Sequence, residues 1–246
     1  MSDEATPVPG TPRWWAQRSA QGEPTASRRG RPSRPLDEIV GAALALLDRG
    51  GSEALSMRTL ARELDSSTAT LYRQLPGGKE ELEALIVDRL MGEMMAELTE
   101  DLKGASVEAG VAHLAERIRA GARASYRVLR RHPAAAKLFL LQRPAGPIAL
   151  IRQELGIRQM VRDGLSPSEA ADTYVSLGRL VVGSAVQGTP EDKDDVDELR
   201  EYWDSLDPEF FPAMTQVSDS PREIDDEFEY TLGLIVDGVL ARVGRG

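Results

Sequence analysis

Hydroxyl groups and long hydrogen-bond donors are concentrated in residues 66–75, which read SSTATLYRQL. Leu71 and Leu75 recur at helical spacing, so a short helix here would bury both and turn the remaining side chains outward. The outward surface would carry threonine hydroxyls, an alanine methyl, a phenol, a guanidinium and an amide. These groups exchange hydrogen bonds and touch methyl groups, which is the chemistry that reads base edges in a DNA major groove.

A second short helix is predicted just before this one. Ser56 is an N-cap residue, although Glu and Gln are absent three places on, and apolar residues within 57–64 recur at spacings of three and four. A tight turn separates the two short helices. This order of helix, turn and helix has the outline of a helix-turn-helix that reads DNA.

The segment LSMRTLARELDSSTATLYRQL resembles the DNA-binding motif of the tetracycline-repressor-like (TetR) family. Thr70, Tyr72 and Lys79 fall on the family signature, and a helix predicted at 37–51 matches the amphipathic helix with which the family domain begins. The turn has Asp65 where the family has Gly, and Asp tolerates a left-handed conformation. Three later segments resemble the effector-binding half of the family: ASYRVLRRHPAAAKLFLLQRPAGP, VRDGLSPSEAADTYVSLGRLVVGSAV and DDEFEYTLGLIVDGVLARV. The resemblance therefore covers most of residues 36–243.

The resemblance implies three kinds of DNA contact: base readout by one arginine, base-edge packing by two small residues, and phosphate contacts that set the register. In that order, the residues are Arg58; Thr68 and Ala69; and Ser56, Thr70, Tyr72 and Lys79. Arg73 is long enough to reach either the groove or the DNA backbone. The implied partner is double-stranded DNA containing a palindromic operator.

The net charge of −10 is divided unevenly along the chain. Residues 25–79 carry a net +3, residues 1–24 a net −1, and residues 80–246 a net −12. Positive charge is therefore concentrated where phosphates would be met. The acidic remainder would discourage non-specific binding of nucleic acid to the other faces.

The N-terminal 35 residues contain six Pro and lack a periodic pattern, so we predict a disordered extension in which Trp14 and Trp15 have no partner. Its segment SRRGRPSR at 27–34 resembles an AT-hook core. Arg29 and Arg31 would either enter a narrow minor groove or belong to a solvated basic tail, and both interpretations remain open.

The rest of the chain has helical periodicity and no strand alternation, so the predicted fold is all-α. We expect three units: the extension at 1–35, a three-helix DNA-binding domain with the helix-turn-helix at 36–82, and a larger helical domain for effector binding and dimerisation at 83–246. Helices at 167–187 and 222–243 carry apolar stripes with glycines among them. They would either close the domain core or, as the resemblance implies, pair with their copies in a homodimer.

The resemblance also predicts an effector site in the larger domain. Where the tetracycline-binding branch has a magnesium-ligating His, this chain has Phe139, so we expect a hydrophobic effector, aromatic or polyketide-like, and no metal. The apolar residues expected to line the site are Met94, Leu98, Ile118, Phe139, Leu140 and Tyr174. His113 and Arg117 could supply its polar contacts. For each apolar residue, plain core packing is the alternative interpretation.

Composition narrows the possible functions. The chain has no Cys and two His, which argues against a structural zinc site, and we expect no cofactor. It has no phosphate-binding glycine loop and no supported Ser-His-Asp set, so an enzyme is not predicted. No apolar stretch approaches the ~20 residues needed to span a bilayer, and we expect a cytoplasmic protein. A ligand-responsive repressor is the favoured function, and an architectural minor-groove DNA-binding protein is the alternative.

Overall fold

A computed structural model describes residues 7–21, 34–103, 110–187, 193–216 and 224–243. Within these ranges the secondary structure is helical, without strands, which confirms the predicted all-α class. The helices are α1 Pro12–Gln21, α2 Leu36–Ala54, α3 Met57–Glu63, α4 Thr68–Gln74, α5 Gly78–Asp101, α6 Val111–Arg131, α7 Pro133–Ala136, α8 Leu138–Leu141, α9 Pro147–Arg162, α10 Pro167–Gln187, α11 Lys193–Asp204, α12 Pro212–Gln216 and α13 Ile224–Val243.

The first three helices after residue 34 enclose a small apolar core. The inner face of α2 is buried, and so are Leu60 of α3 and Leu71 of α4. Leu75, just after α4, is fully buried as the sequence predicted. The spacing of these leucines therefore fixes which faces of α3 and α4 remain open to solvent.

The turn between α3 and α4 is a Schellman motif closed by an aspartate. Asp65 has a φ of +44°, a left-handed conformation that Asp tolerates. The Asp65 N–H donates to the Arg62 carbonyl at 3.2 Å, and the Ser66 N–H donates to the Ala61 carbonyl at 2.8 Å. These two bonds satisfy carbonyls at the end of α3 and redirect the chain into α4.

The N-terminal extension is partly ordered, which corrects the prediction of disorder through residue 35. Residues 12–21 form α1, and Trp15 is only 7% exposed. Trp14 packs edge-on against Trp15, and Arg18 forms an ion pair with the buried Glu81 of α5. The prediction failed because α1 is tied to α5 by an ion pair between residues 63 positions apart, which local composition does not reveal.

The larger half of the molecule is built on α5, α6, α9, α10 and α13. α6 packs against α5, α10 and α13, and α10 packs against α9 and α13. At the contact of α6 with α13, the Tyr126 ring stacks on Phe228 with centroids 4.1 Å apart, and the Tyr126 hydroxyl donates to Asp225 at 2.6 Å. α11 and α12 lie against each other and leave Tyr202, Phe210 and Phe211 exposed. No helix in the described part of the chain is both long and apolar enough to cross a membrane.

Candidate functional site

The outer face of α4 carries the polar side chains that the sequence singled out. Thr68, Ala69 and Arg73 are exposed, and Tyr72 is 50% exposed. Thr70 is half-buried. The helix therefore presents hydroxyl, methyl, phenol and guanidinium groups on one solvent-facing surface.

Hydrogen bonds at its N-terminus hold α4 in place. The Ser67 hydroxyl accepts from the Thr70 N–H at 3.1 Å, and the two hydroxyls lie 2.9 Å apart. Arg73 Nη2 donates to the Thr70 hydroxyl at 3.1 Å. Ser67 thus positions the Thr70 hydroxyl, and that hydroxyl in turn positions the Arg73 guanidinium.

α3 begins with a related cap. Ser56 caps it as predicted, and Thr59 completes a capping box that the search for Glu or Gln overlooked. The Ser56 hydroxyl accepts from the Thr59 N–H at 3.1 Å, and the Thr59 hydroxyl accepts from the Ser56 N–H at 2.9 Å. Arg58 lies exposed in the first turn of α3. Its guanidinium is available on the side of the molecule where α3 begins.

Lys79 lies near the start of α5, beside the helix-turn-helix. Its Nζ donates to the Ser52 carbonyl at 3.4 Å and lies 3.8 Å from a Glu83 carboxylate oxygen. The Tyr72 ring packs against Gly78, where φ is +61° and a Cβ would approach the ring to 3.1 Å. Glycine at this position therefore lets α5 begin directly beneath Tyr72.

Arg34 is the last residue of the basic segment 27–34, called the basic arm below, and it is bonded to the DNA-binding domain. Its Nη2 donates to the Leu64 carbonyl at 2.6 Å, its Nη1 pairs with Glu38, and its carbonyl accepts from Gln74 at 2.8 Å. Arg34 consequently lies next to the α3–α4 turn and the end of α4. Arg29 and Arg31 lie outside the described residues.

A second site is a cavity of about 1380 Å³ in the larger half, bounded by α5, α6, α8, α9 and α10. Seven of the eight residues expected at the effector site line it: Met94, Leu98, Arg117, Ile118, Phe139, Leu140 and Tyr174. His113 does not, and its Nδ1 lies 4.0 Å from a Glu116 carboxylate oxygen. The residues that the resemblance assigned to one site thus largely surround one cavity.

Sequence reasoning missed several polar side chains of this cavity. Asp163, which is almost fully buried, accepts two contacts of 2.7 Å from Arg117 Nη1. Arg152 donates from Nη2 to the Ser125 hydroxyl at 2.5 Å and from Nη1 to the Tyr174 hydroxyl at 3.3 Å. These partners lie 22 to 46 residues apart along the chain, so no local pattern pairs them. In the part of the chain that the structure describes, no group of three or more His, Cys, Asp or Glu is arranged to hold a metal.

α5 belongs to both sites. Its first half packs against α2, and its second half lines the cavity with Met91, Met94 and Leu98. Midway along α5, the Asp88 carboxylate accepts from the Ala149 N–H at 3.0 Å and thereby caps α9, another cavity helix. Burial raises the pKa of Asp88, and the backbone donors of α9 oppose that rise. Asp88 thus joins α9 to α5, and the first residue of α5, Gly78, lies against Tyr72 of the helix-turn-helix.

Comparison with known proteins identifies this combination of a helix-turn-helix and a helical cavity. Residues 39–84 match the family of bacterial regulatory proteins called tetR, and residues 108–243 match the tetracyclin repressor-like C-terminal domain. The chain belongs to the TetR family. It is 30% identical over 234 residues to the HTH-type transcriptional repressor DrrR1 of Streptomyces coeruleorubidus. The matched region covers 89% of this chain and 82% of DrrR1.

Solved structures of a TetR family member agree with this assignment. The apo structure of ActR from Streptomyces coelicolor has a TM-score of 0.75 and 28% identity, covering 88% of this chain and 99% of ActR. The complex of ActR with actinorhodin has a TM-score of 0.73 and 29% identity, covering 86% of this chain and all of ActR. Membership in the TetR family confirms the predicted family, and the chain is a DNA-binding transcriptional regulator. The alternative of an architectural DNA-binding protein is not favoured.

Proposed function

We propose that the chain is a repressor that a bulky small molecule releases from a palindromic operator. The observation that carries this proposal is the shared role of α5, which packs against α2 at one end and lines the cavity at the other. Ligand-bound and apo structures of ActR support the assignment of the cavity as the effector site. We assign no catalytic activity to the chain, and its place of action is the cytoplasm, where bacterial DNA lies.

In the proposed complex, α4 enters the major groove. Thr68 and Ala69 face base edges from the first turn of α4, where α3 also brings Arg58 within reach of a guanine. The phosphates of the DNA backbone are contacted by Ser56, Thr70, Tyr72, Arg73 and Lys79. Lys79 can reach a phosphate by giving up its weak contact with the Ser52 carbonyl. These contacts set the register of the domain on the duplex.

The basic arm is proposed to follow the DNA beside α4. Arg34, the first residue of the described segment 34–103, is anchored on the α3–α4 turn, beside the proposed DNA-reading face. From there Arg29 and Arg31 can reach the adjacent minor groove, where negative potential favours arginine. We assign DNA binding to residues 36–82, and binding of the effector and the partner protomer to residues 83–246.

The proposed homodimer is formed by α10 and α13. These helices pack against each other, yet Val175 of α10 and both Tyr230 and Leu234 of α13 remain exposed. Pairing with the same helices of a second copy would bury this apolar surface about a two-fold axis. The two α4 helices would then enter successive major grooves about 34 Å apart, which requires a palindromic operator.

Release follows from a population shift between two spacings of the DNA-binding domains. The apo dimer holds the two α4 helices at operator spacing, and a ligand between α5 and α9 stabilises the arrangement in which they are displaced. The ligand shifts this equilibrium only to the extent that it binds the displaced arrangement more tightly.

The test is recovery of genomic fragments by the purified full chain, followed by sequencing. The wild type should enrich one palindrome, and Arg58→Ala should lose that enrichment. Arg119→Ala is the matched control, because Arg119 lies on α6 away from the helix-turn-helix. Tyr72→Phe should weaken retention of the same palindrome without changing its sequence, since it removes only a phosphate contact.

Two results would contradict the proposal. Enrichment of A·T-rich DNA without a palindrome would indicate an architectural protein. Enrichment of the same palindrome by Arg58→Ala and by the wild type would remove Arg58 from base readout.

A further inference from the structure

Arginines are concentrated around the cavity, although this half of the chain is acidic. Residues 80–246 contain 19 Lys and Arg against 31 Asp and Glu. Among the described residues that line the cavity, however, the charged side chains are one aspartate and six arginines: Arg117, Arg143, Arg152, Arg158, Arg162 and Arg179. Arg117 and Arg152 are half-buried, and the other four are exposed. A lining whose charge is mostly positive favours an anionic occupant.

The one aspartate neutralises a single arginine. Asp163 is 1% exposed and accepts from Arg117, from the Gly110 N–H at 2.9 Å and from Gln159 at 3.3 Å. Its acceptor capacity is largely consumed by these three donors. Arg117 and Asp163 therefore form a buried ion pair that stabilises the fold. Asp163 does not compensate the positive charge of the other five arginines.

Arg152 is the arginine held at a defined position within the cavity wall. Both of its assigned partners, the hydroxyls of Ser125 and Tyr174, are neutral. Ser125 donates its own proton to the Gly121 carbonyl at 2.6 Å, so its lone pair is free to accept from Arg152. The Arg152 Nε–H is buried and has no acceptor in the described structure. A partly desolvated guanidinium held by neutral groups alone is stabilised strongly when a carboxylate or similar anion joins it.

The remainder of the lining suits a large apolar body. Met91, Met94, Met95 and Met160 contribute to it together with Phe139. Thioether side chains are polarizable and adapt to flat aromatic surfaces. The volume of about 1380 Å³ exceeds the usual ~300–1,000 Å³ of small-molecule sites, so the space admits a polycyclic ligand.

We propose that the effector is a bulky organic acid whose anionic group pairs with the guanidinium of Arg152 while its apolar rings contact the methionine side. This inference rests on the proposed function, because it takes the cavity as the effector site. It refines the expectation of a hydrophobic effector by adding one obligatory negative charge. Ser125 and Tyr174 position the guanidinium, and Arg152 binds the ligand.

The test compares two fluorescent probes that differ by one charge. 1-Anilinonaphthalene-8-sulfonate carries a sulfonate, and N-phenyl-1-naphthylamine has the same rings without it. The wild-type protein should bind the sulfonate at least tenfold more tightly than the neutral probe. Arg152→Met should weaken sulfonate binding about tenfold, the effect of losing one charge-assisted hydrogen bond, and leave binding of the neutral probe unchanged.

Two further variants keep the test decisive. Arg119→Met is the matched control, because Arg119 does not line the cavity, and it should bind both probes as the wild type does. Arg152 joins α9 to α6 and α10, so Arg152→Met removes a structural link as well as a charge, and Arg152→Lys is measured beside it. The lysine variant keeps the charge and should keep part of the preference for the sulfonate.

The outcomes separate this inference from the proposed function. Equal affinity of the wild type for both probes would overturn the inference, and so would equal weakening of both probes by Arg152→Met. If the same preparation still enriches a palindrome, the regulator stands and only the anionic ligand is refuted. A preserved preference for the sulfonate without DNA enrichment would instead support the anionic site and refute the repressor.

Discussion

Replacing Arg117 by methionine should cost about 3–5 kcal/mol of unfolding free energy, because it leaves a buried carboxylate without its cation. Burial determines this magnitude. The side chains of Arg117 and Asp163 are 15% and 1% exposed, and Nη1 lies 2.7 Å from both carboxylate oxygens. An exposed ion pair of similar geometry would contribute no more than about 1 kcal/mol.

The assay is urea unfolding at one fixed protein concentration, because a dimer gains stability with concentration. A double-mutant cycle with Asp163→Asn isolates the interaction. Asparagine keeps an acceptor for the Gly110 N–H at nearly the same volume but carries no charge. The double variant should lose less stability than the sum of the single variants, since it buries no unpaired charge. A loss below about 1 kcal/mol in Arg117→Met, or simple additivity in the cycle, would refute the reasoning.

Three other perturbations are predicted from local contacts. Ser67→Ala removes the cap of α4 and should cost about 1 kcal/mol in urea unfolding, whereas Ser66→Ala should be nearly neutral; equal effects would contradict the role of the cap. Trp15→Ala should destabilise the protein by about 3 kcal/mol and Trp14→Ala by less, since only Trp15 is buried; an unchanged melting temperature for Trp15→Ala would argue against docking of α1. Hydrogen bonds from two arginines of α6 lower the pKa of Glu97 from its ordinary 4.5 to about 2. The ionised Glu97 side chain therefore contributes fully to stability above pH 4.5, and this contribution is lost as the pH falls through 2. Glu97→Gln should therefore flatten the dependence of stability on pH in that window, and a profile identical to the wild type would count against the ion pairs.

The helix-turn-helix could be predicted from the sequence because its determinants are local. Leu71 and Leu75 fix the buried face of α4 by their spacing, and Ser56 and Ser67 mark where α3 and α4 begin. Asp65 was expected to adopt a left-handed conformation, and it does. Each of these features depends on residues within about five positions, the range over which helical caps and turns are formed.

Contacts between distant residues account for what the sequence left undetermined. The helix that carries the buried Trp15 is tied to α5 through Arg18 and Glu81, whereas the sequence around Trp15 is typical of a disordered tail. The apolar residues around the cavity were found through their resemblance to a known family, but Arg152 was not, since its meaning depends on Ser125 and Tyr174.

Short-range periodicity and signature residues were enough to predict the helical class, the helix-turn-helix and the family. The contribution of α5 to both sites, and the clustering of arginines around a cavity in an acidic half of the chain, became evident only from the packing of the helices. Burial and charge pairing depend on which helices pack together. Those contacts join residues tens of positions apart, so no single stretch of sequence predicts them.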